Sequence, residues 1–371
     1  MIKMFFLLQL PPPLHGASVV NSSLIESQYV RSEFEIDHVD ISPALTMSDL
    51  EKLTLRKLVR VVVIIFRSII KYNEFKPSIV YLTLSPRGFA FYKDSFLALL
   101  LKFCGANMVF HMHGKGIAKI VDRSSVKKWF YKCVFKNVDI IHLSPTLFSD
   151  VDSVRDQSRL IIAVPNGVAD PGYVVRELDT RMNFLYLSNM VRSKGPDTAA
   201  KAVTLLPASL KGRVSMSFVG APTDSEFMEE FEKTVAAEKD ASMRFEGPKY
   251  GAEKEQALAA ANVFVLPTKF PNECFPLSIL EAMAAGLAVI ASDEGAIADI
   301  VEDGISGFVL SEATPEAVRD KMEIYINNPQ LARMHGEAGR RLFEEKYTHN
   351  KFEENFINAM THIIQTRNVN D

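Results

Sequence analysis

The chain has 371 residues, of which 47% are hydrophobic and 23% charged, with a formal net charge of −3. That length accommodates two domains of ordinary size, and the composition is that of a soluble globular protein without low-complexity tracts or internal repeats. The three cysteines (Cys104, Cys133 and Cys274) form no CxxC pair and no even set, which excludes a disulfide framework and points to reduced, cytosolic thiols.

The opening MIKMFFLLQLPPPLHG carries one lysine and a short apolar run. It has the outline of a weak signal peptide but no small-residue cleavage site. It reads instead as a first buried strand over 3–9, stopped by three prolines. A basic apolar helix is expected over 51–76, then strands at 79–84, 107–112, 138–143 and 160–164, with helical stretches such as 94–103 and 125–136 between them. VPNGVADPG (164–172) is rich in turn residues and reads as a linker. A second series of strands follows at 183–188, 214–219, 243–246, 262–266, 288–291 and 307–310, again separated by helices. Alternation of this kind predicts parallel sheets covered by helices, hence two doubly wound α/β domains in tandem. Ligands of such folds bind at the carboxyl ends of the strands, here expected in the cleft between the domains.

Charge divides unevenly. Residues 1–170 hold 21 Lys and Arg against 15 Asp and Glu, a net of +6, and the remainder holds 21 against 30, a net of −9. A basic first half suits an anionic membrane, a phosphorylated acceptor or nucleic acid, although no nucleic-acid-binding motif accompanies it. Within 51–76 the apolar run Val61–Phe66 is far shorter than the roughly 20 residues a membrane span needs. It is flanked by Arg56, Lys57, Arg60, Arg67 and Lys71, so the segment is either a core helix with basic edges or a helix lying on anionic headgroups. KKWFYKCVFK (127–136) mixes four lysines with Trp129, Phe130 and Tyr131 and extends the second reading.

The densest chemistry lies in FPNECFPLSILEAMAAGLAVIASDEG (270–295). Glu273 and Glu281 stand with seven residues between them. Pro276 fits the first position of a helix that Gly286 stops. The free N–H groups of such a helix, at Leu277 and Ser278, suit a phosphate. Two glutamates at this spacing are by themselves common by chance.

The surrounding residues weigh more. From EGPKYGAEKEQALAAANVFVLPT to NECFPLSILEAMAAGLAVIASDEGAIADIVEDGISGFVL the chain resembles the retaining nucleotide-sugar glycosyltransferases of family 4, also called group 1. The resemblance rests on Glu273, Glu281, Ala282, Met283, Ala284, Gly286, Gly295, Ile297, Asp303, Gly304 and Gly307, and is most specific over about 243–310. It implies the GT-B fold: two Rossmann-like, doubly wound α/β domains facing across a cleft. The expected division is 1–170 for the acceptor and 171–349 for the nucleotide sugar, with a helix at about 350–371 packing back on the first domain.

What the resemblance implies for single residues follows its motifs. Lys194, before Gly195, matches the lysine that contacts the donor diphosphate. The arginine often found five residues earlier is Asn189 here, which leaves Arg192 as the nearby replacement. Glu273 positions the donor sugar, Glu281 binds the ribose, Phe275, Pro276, Leu277 and Ser278 surround the diphosphate, and Ile297 borders the base. In the first domain Gly16, within QLPPPLHGAS, resembles a glycine loop that lets backbone approach the diphosphate or acceptor, although its usual second glycine is Ala17. His113, in VFHMHGKG, matches a histidine set against the donor sugar. Transfer would proceed on one face through an oxocarbenium-like state, with the departing phosphate taking the acceptor proton. No cofactor or metal is implied. The donor would be a UDP- or GDP-sugar and the acceptor an oligosaccharide or a lipid-linked saccharide. A lipid-linked acceptor would match the basic first half and the 51–76 helix, and would place the chain in capsule, O-antigen or exopolysaccharide assembly as a peripheral protein on the inner face of the cytoplasmic membrane.

Three other readings stay open at this stage. His111, His113 and His142 are spaced to make a metal site for a hydrolase. A GT-B sugar-nucleotide epimerase would share the fold, and an inactive nucleotide-sugar-binding protein would share both the fold and the motifs.

Overall fold

A computed structural model describes residues 1–12, 16–42, 55–173 and 181–370. Pro13, Leu14 and His15 of the expected glycine loop, residues 51–54 of the expected helix and the Arg56 side chain lie outside the described residues. The chain divides into two compact units, one of Met1–Asn166 with Asn350–Asp371 and the other of Gly167–His349.

The first unit is built on six parallel strands: β1 (Ile2–Leu8), β2 (Phe34–Asp40), β3 (Ile79–Leu84), β4 (Met108–Met112), β5 (Val138–His142) and β6 (Ile161–Ala163), in the order β2-β1-β3-β4-β5-β6. Near-continuous apolar runs such as IVYLTL are what a strand buried on both faces requires. β2 was not among the expected strands. Its sequence, FEIDHVD, is too polar to read as a core strand, and it forms because it pairs along the sheet edge with β1, from Ile2–Phe34 to Leu8–Asp40. The helices Leu55–Phe75, Gly88–Phe103 and Ser125–Phe135 are neighbours over one face of the sheet.

The helix His349–Asn370 contributes to this unit from the far side of the sequence. Phe356 packs on Phe6 at 6.2 Å and edge-on to Tyr81 at 5.4 Å. Arg367 is almost fully buried, and its guanidinium donates to Asp139 (2.5 Å), Asn107 Oδ1 (2.9 Å) and the Met108 carbonyl (2.9 Å). All of its nitrogens therefore face an acceptor, as a buried cation requires.

The second unit holds β7 (Met182–Leu187), β8 (Val214–Val219), β9 (Ser242–Phe245), β10 (Val263–Leu266), β11 (Ala288–Ser292) and β12 (Gly307–Leu310), ordered β12-β11-β10-β7-β8-β9 and parallel throughout. Counted from its own first strand, this is the 3-2-1-4-5-6 order of a dinucleotide-binding fold, whose direction reverses between β7 and β10. The chain enters and leaves the unit side by side: Val168 N donates to the Tyr347 carbonyl (3.0 Å), and His349 N to the Val168 carbonyl (2.9 Å). Asp170 is fixed by a two-pronged ion pair with Arg340, 2.6 Å at each oxygen. Among the described residues, no helix is long and apolar enough to cross a membrane.

Candidate functional site

The carboxyl ends of β7 and β10 flank the point where strand order reverses, which is where the crevice of such a sheet opens. After β7 the chain makes a 3-10 turn, Arg192–Lys194, ended by Gly195 at φ 78°. A side chain at 195 is excluded twice over, by that backbone angle and because a Cβ would stand 2.3 Å from the Pro267 carbonyl oxygen. The two loops thus meet backbone to backbone, and Lys269 N donates to the Ser193 carbonyl (2.7 Å).

The loop after β10 is fastened along its length. Phe270 N donates to Thr268 Oγ1 (3.1 Å), Glu273 N to the Phe270 carbonyl (2.9 Å), and Ser292 Oγ to the Thr268 carbonyl (2.5 Å). From the third side Ala296 N donates to the Cys274 carbonyl (2.8 Å), an approach that Gly295 permits because a Cβ there would lie 2.4 Å from the Glu273 carbonyl oxygen. Glu273 is buried, and its Oε2 lies 3.3 Å from Lys194 Nζ and accepts from Thr268 Oγ1 at 3.4 Å. Lys194 also stands over the Phe270 ring, 5.2 Å from its centre. Tyr186 lies beneath, where burial, and then the Glu273 charge, push its phenol well above the ordinary range.

Pro276 is the residue before the helix, with extended backbone (ψ 117°), and the helix runs Leu277–Ala284. This is one residue later than the sequence pattern places it, because Pro276 uses its carbonyl, which accepts from Ile279 N at 3.1 Å. Ile279, Leu280, Ala282 and Met283 are fully buried, so Leu277, Ser278 and Glu281 make up the helix face left half-exposed. Glu281 is held by Lys254 of the helix Gly251–Ala260, with Nζ and Oε1 2.7 Å apart.

The structure therefore brings Lys194, Glu273, Phe275, Pro276, Leu277 and Ser278 to one end of the second sheet, with Glu281 one turn along. Asn189 lies in the loop leading to Lys194, and its carbonyl accepts from the buried Tyr186 hydroxyl (3.4 Å). Arg192 turns to the helix Ser225–Ala237, where it pairs with Glu230 (2.6 Å) and stacks on Phe227 at 4.7 Å. Phe275 is buried edge-on against Tyr347 at 5.9 Å. Ile297 is fully buried, so it shapes its loop and offers no side-chain surface.

In the first unit, His113 follows β4, its ring 4.0 Å from that of His111. The loop after it is anchored by Asp150, whose carboxylate accepts from Gly116 N (2.9 Å), Ile117 N (3.1 Å) and Ala118 N (3.1 Å). Gly16 is the first residue of the helix Gly16–Glu26 rather than part of an open loop. His111 and His142 are fully buried, and burial drives both toward the neutral form: His111 falls well below the usual histidine range, and His142 to about 3. Among the described residues, no group of three or more His, Cys, Asp or Glu side chains is placed to hold a metal ion, so the alternative reading of a His111, His113 and His142 metal site finds no support in the geometry.

Sequence reasoning did not single out Lys254, Thr268, Phe270, Ser292 or Asp150. Lys254 lies inside the stretch that carries the resemblance but belongs to no motif. Asp150 is 37 residues beyond His113, and only the fold brings it there.

Comparison with known proteins points the same way. Residues 175–342 match the family described as glycosyl transferases group 1. An uncharacterized glycosyltransferase of Methanocaldococcus jannaschii is 22% identical over 271 residues, 69% of this chain and 68% of that protein. The lipopolysaccharide core biosynthesis mannosyltransferase LpcC of Rhizobium leguminosarum bv. viciae is 42% identical over 79 residues, 21% of this chain and 22% of that protein. Among solved structures, Anabaena HepE in complex with UDP-glucose superposes with a TM-score of 0.72 at 15% identity, covering 98% of this chain and 100% of its own. The fold is thus the GT-B type, two Rossmann-like units each built on a doubly wound parallel sheet.

Proposed function

We propose that this chain, a GT-B glycosyltransferase related to the group 1 enzymes, moves a sugar with retention from a UDP- or GDP-sugar to an oligosaccharide or lipid-linked saccharide. In this reading the Gly167–His349 unit takes the donor and the other unit the acceptor. One observation carries the proposal: the buried Glu273 carboxylate and Lys194 meet at the β7–β10 switch point, beside the free N–H groups that open the helix Leu277–Ala284.

The chemistry follows from charge. As the glycosidic bond breaks, negative charge grows on the β-phosphate, and Lys194 with the amides of Leu277 and Ser278 would receive it. Glu273, held by Lys194 and Thr268, would orient the sugar hydroxyls and offset positive charge at the anomeric carbon. Glu281 would accept from the ribose. The departing phosphate would take the acceptor proton on the same face. His113, after β4, keeps in this reading the sugar-facing role that its motif implies. HepE was crystallised with UDP-glucose and LpcC acts in lipopolysaccharide core synthesis, which supports a nucleotide sugar as donor and surface polysaccharide assembly as the setting.

The test is to incubate the enzyme with a panel of UDP- and GDP-sugars and saccharide or lipid-linked acceptors, in the presence of EDTA, and to read the anomeric configuration of the product by NMR. Retained configuration and full activity in chelator are expected. Donor hydrolysis or epimerisation without transfer would overturn the reading, and activity that needs an added divalent cation would overturn its metal independence.

A second part of the proposal is that the first unit docks on an anionic membrane. The helix Leu55–Phe75 packs Ile64, Ile65, Ile69 and Tyr72 inward, yet Leu58, Val59, Val62, Val63, Phe66 and Ile70 are exposed, Phe66 to 64%. On the neighbouring helices Phe89, Tyr92, Phe96 and Phe103, and then Val126 and Trp129 (66%), continue the exposed apolar surface. Arg60, Arg67 and Lys127 are exposed on these same helices and Lys128 is half-exposed. Apolar groups among cations suit lipid better than water. Each cation near an anionic surface contributes about 1 kcal/mol, so the triple change Arg60→Glu, Arg67→Glu, Lys128→Glu should weaken vesicle binding about a hundredfold or more. Transfer to a soluble acceptor should be unaffected. Wild-type protein that ignores phosphatidylglycerol vesicles at low salt, or that self-associates through this face instead, would remove the membrane from the proposal.

A further inference from the structure

The two glutamates of the candidate site are each met by a lysine: Lys194 lies 3.3 Å from Glu273 and Lys254 lies 2.7 Å from Glu281. The first lysine belongs to a motif and the second does not. Lys254 is on a different helix from Glu281, 27 residues earlier in the chain, so the pair is tertiary and not a helical neighbour contact. Neither side chain is in the core, at 31% and 22% exposed, so packing does not require the contact.

A carboxylate has two oxygens, and the ion pair engages Oε1. An unrestrained glutamate on an open helix face samples many rotamers, and a ligand that needs one of them must bear that ordering on binding. A fixed lysine removes much of the choice before the ligand arrives.

We propose that Lys254 is a positioning residue for nucleoside recognition. It holds one oxygen of Glu281 so that the other is presented in a fixed direction to the ribose hydroxyls of the donor. This rests on the reading of Glu281 as the ribose acceptor. It differs from a role for Lys254 as a general phosphate-binding cation, which would act equally on ribose and dideoxyribose nucleotides.

The experiment is calorimetric titration of the full-length protein with UDP and GDP and with their 2′,3′-dideoxy counterparts. The wild type, Lys254→Met, Lys254→Arg and Glu281→Gln are compared, with thermal melts to establish that each variant is folded. The expected result is that the wild type prefers the ribonucleotide by about tenfold or more, about tenfold being the lower end of the worth of a hydrogen bond to a charged group. Lys254→Met should bring that preference close to one by weakening ribonucleotide binding alone, and Lys254→Arg should restore most of it. Equal weakening of ribo- and dideoxynucleotides in Lys254→Met, or an unchanged preference, would overturn the proposal. If Glu281→Gln discriminates like the wild type, the ribose assignment falls and the proposal with it. Wild-type protein that binds neither nucleotide would overturn the proposed function itself, an outcome distinguishable from failure of the Lys254 variants alone.

Discussion

Lys194→Ala is expected to lower kcat about 100- to 1,000-fold, or about 2.7–4 kcal/mol of barrier, with a much smaller change in donor KM. In the proposed mechanism the diphosphate is already ionised when it binds and gains one further negative charge as the glycosidic bond breaks, so the lysine would contribute more in the transition state than in the ground state. Its position is well determined: Gly195 cannot be replaced without collision, Phe270 lies under the ammonium, and Glu273 holds it at 3.3 Å. Lys194→Ala leaves Glu273 buried without its cation, so a melting curve must accompany the kinetics. Lys194→Arg should recover only part of kcat, because a planar fork does not reproduce a point charge at the same place. A variant that raises KM and leaves kcat intact would show that Lys194 serves binding alone.

The second large effect is on stability. Arg367→Ala should destabilise the first unit by about 3–5 kcal/mol, because it leaves Asp139 buried and unpaired and frees Asn107 Oδ1 and the Met108 carbonyl from their donor. For a unit of this size each kcal/mol moves the melting midpoint about 2–4 °C, so calorimetry will resolve the loss. Adding Asp139→Asn should recover part of it, since the uncompensated charge is then gone. If Arg367→Ala melts like the wild type, the C-terminal helix is held by Phe356 and its neighbours and the ion pair is incidental.

Most strands were legible because a parallel sheet covered on both faces leaves continuous apolar runs, as in IVYLTL and NFLYL. β2 was not, because an edge strand needs only one buried partner, and its Glu35, Asp37 and His38 can stay at the surface. The Glu273–Glu281 stretch was readable from its motif and the position of Pro276. The fastening around it was not: Ser292 to Thr268 and Lys254 to Glu281 join residues 24 and 27 apart that no local pattern links. Arg192 is instructive in the same way. With Asn189 standing where an arginine is often found, Arg192 was the nearby cation to replace it, but its side chain pairs with Glu230 and stacks on Phe227 of another helix. The exposed row Phe89, Tyr92 and Phe96 also escaped notice, because periodicity shows that a helix has an apolar face without showing whether that face is inward.

The path of the chain has a kinetic consequence. The second unit is inserted between Asn166 and Asn350 of the first, so during synthesis the first sheet is complete long before the helix that supplies Phe356 and Arg367 emerges. At roughly 5–20 residues per second the intervening segment takes about 10–40 s to make. Throughout that interval Phe6 and Tyr81 lack their covering ring, and Asp139 is a carboxylate without a cation. Packing of the first unit is therefore complete only once the helix His349–Asn370 has been made, and until then its apolar and carboxylate groups are expected to be the exposed, aggregation-prone surface of the nascent chain.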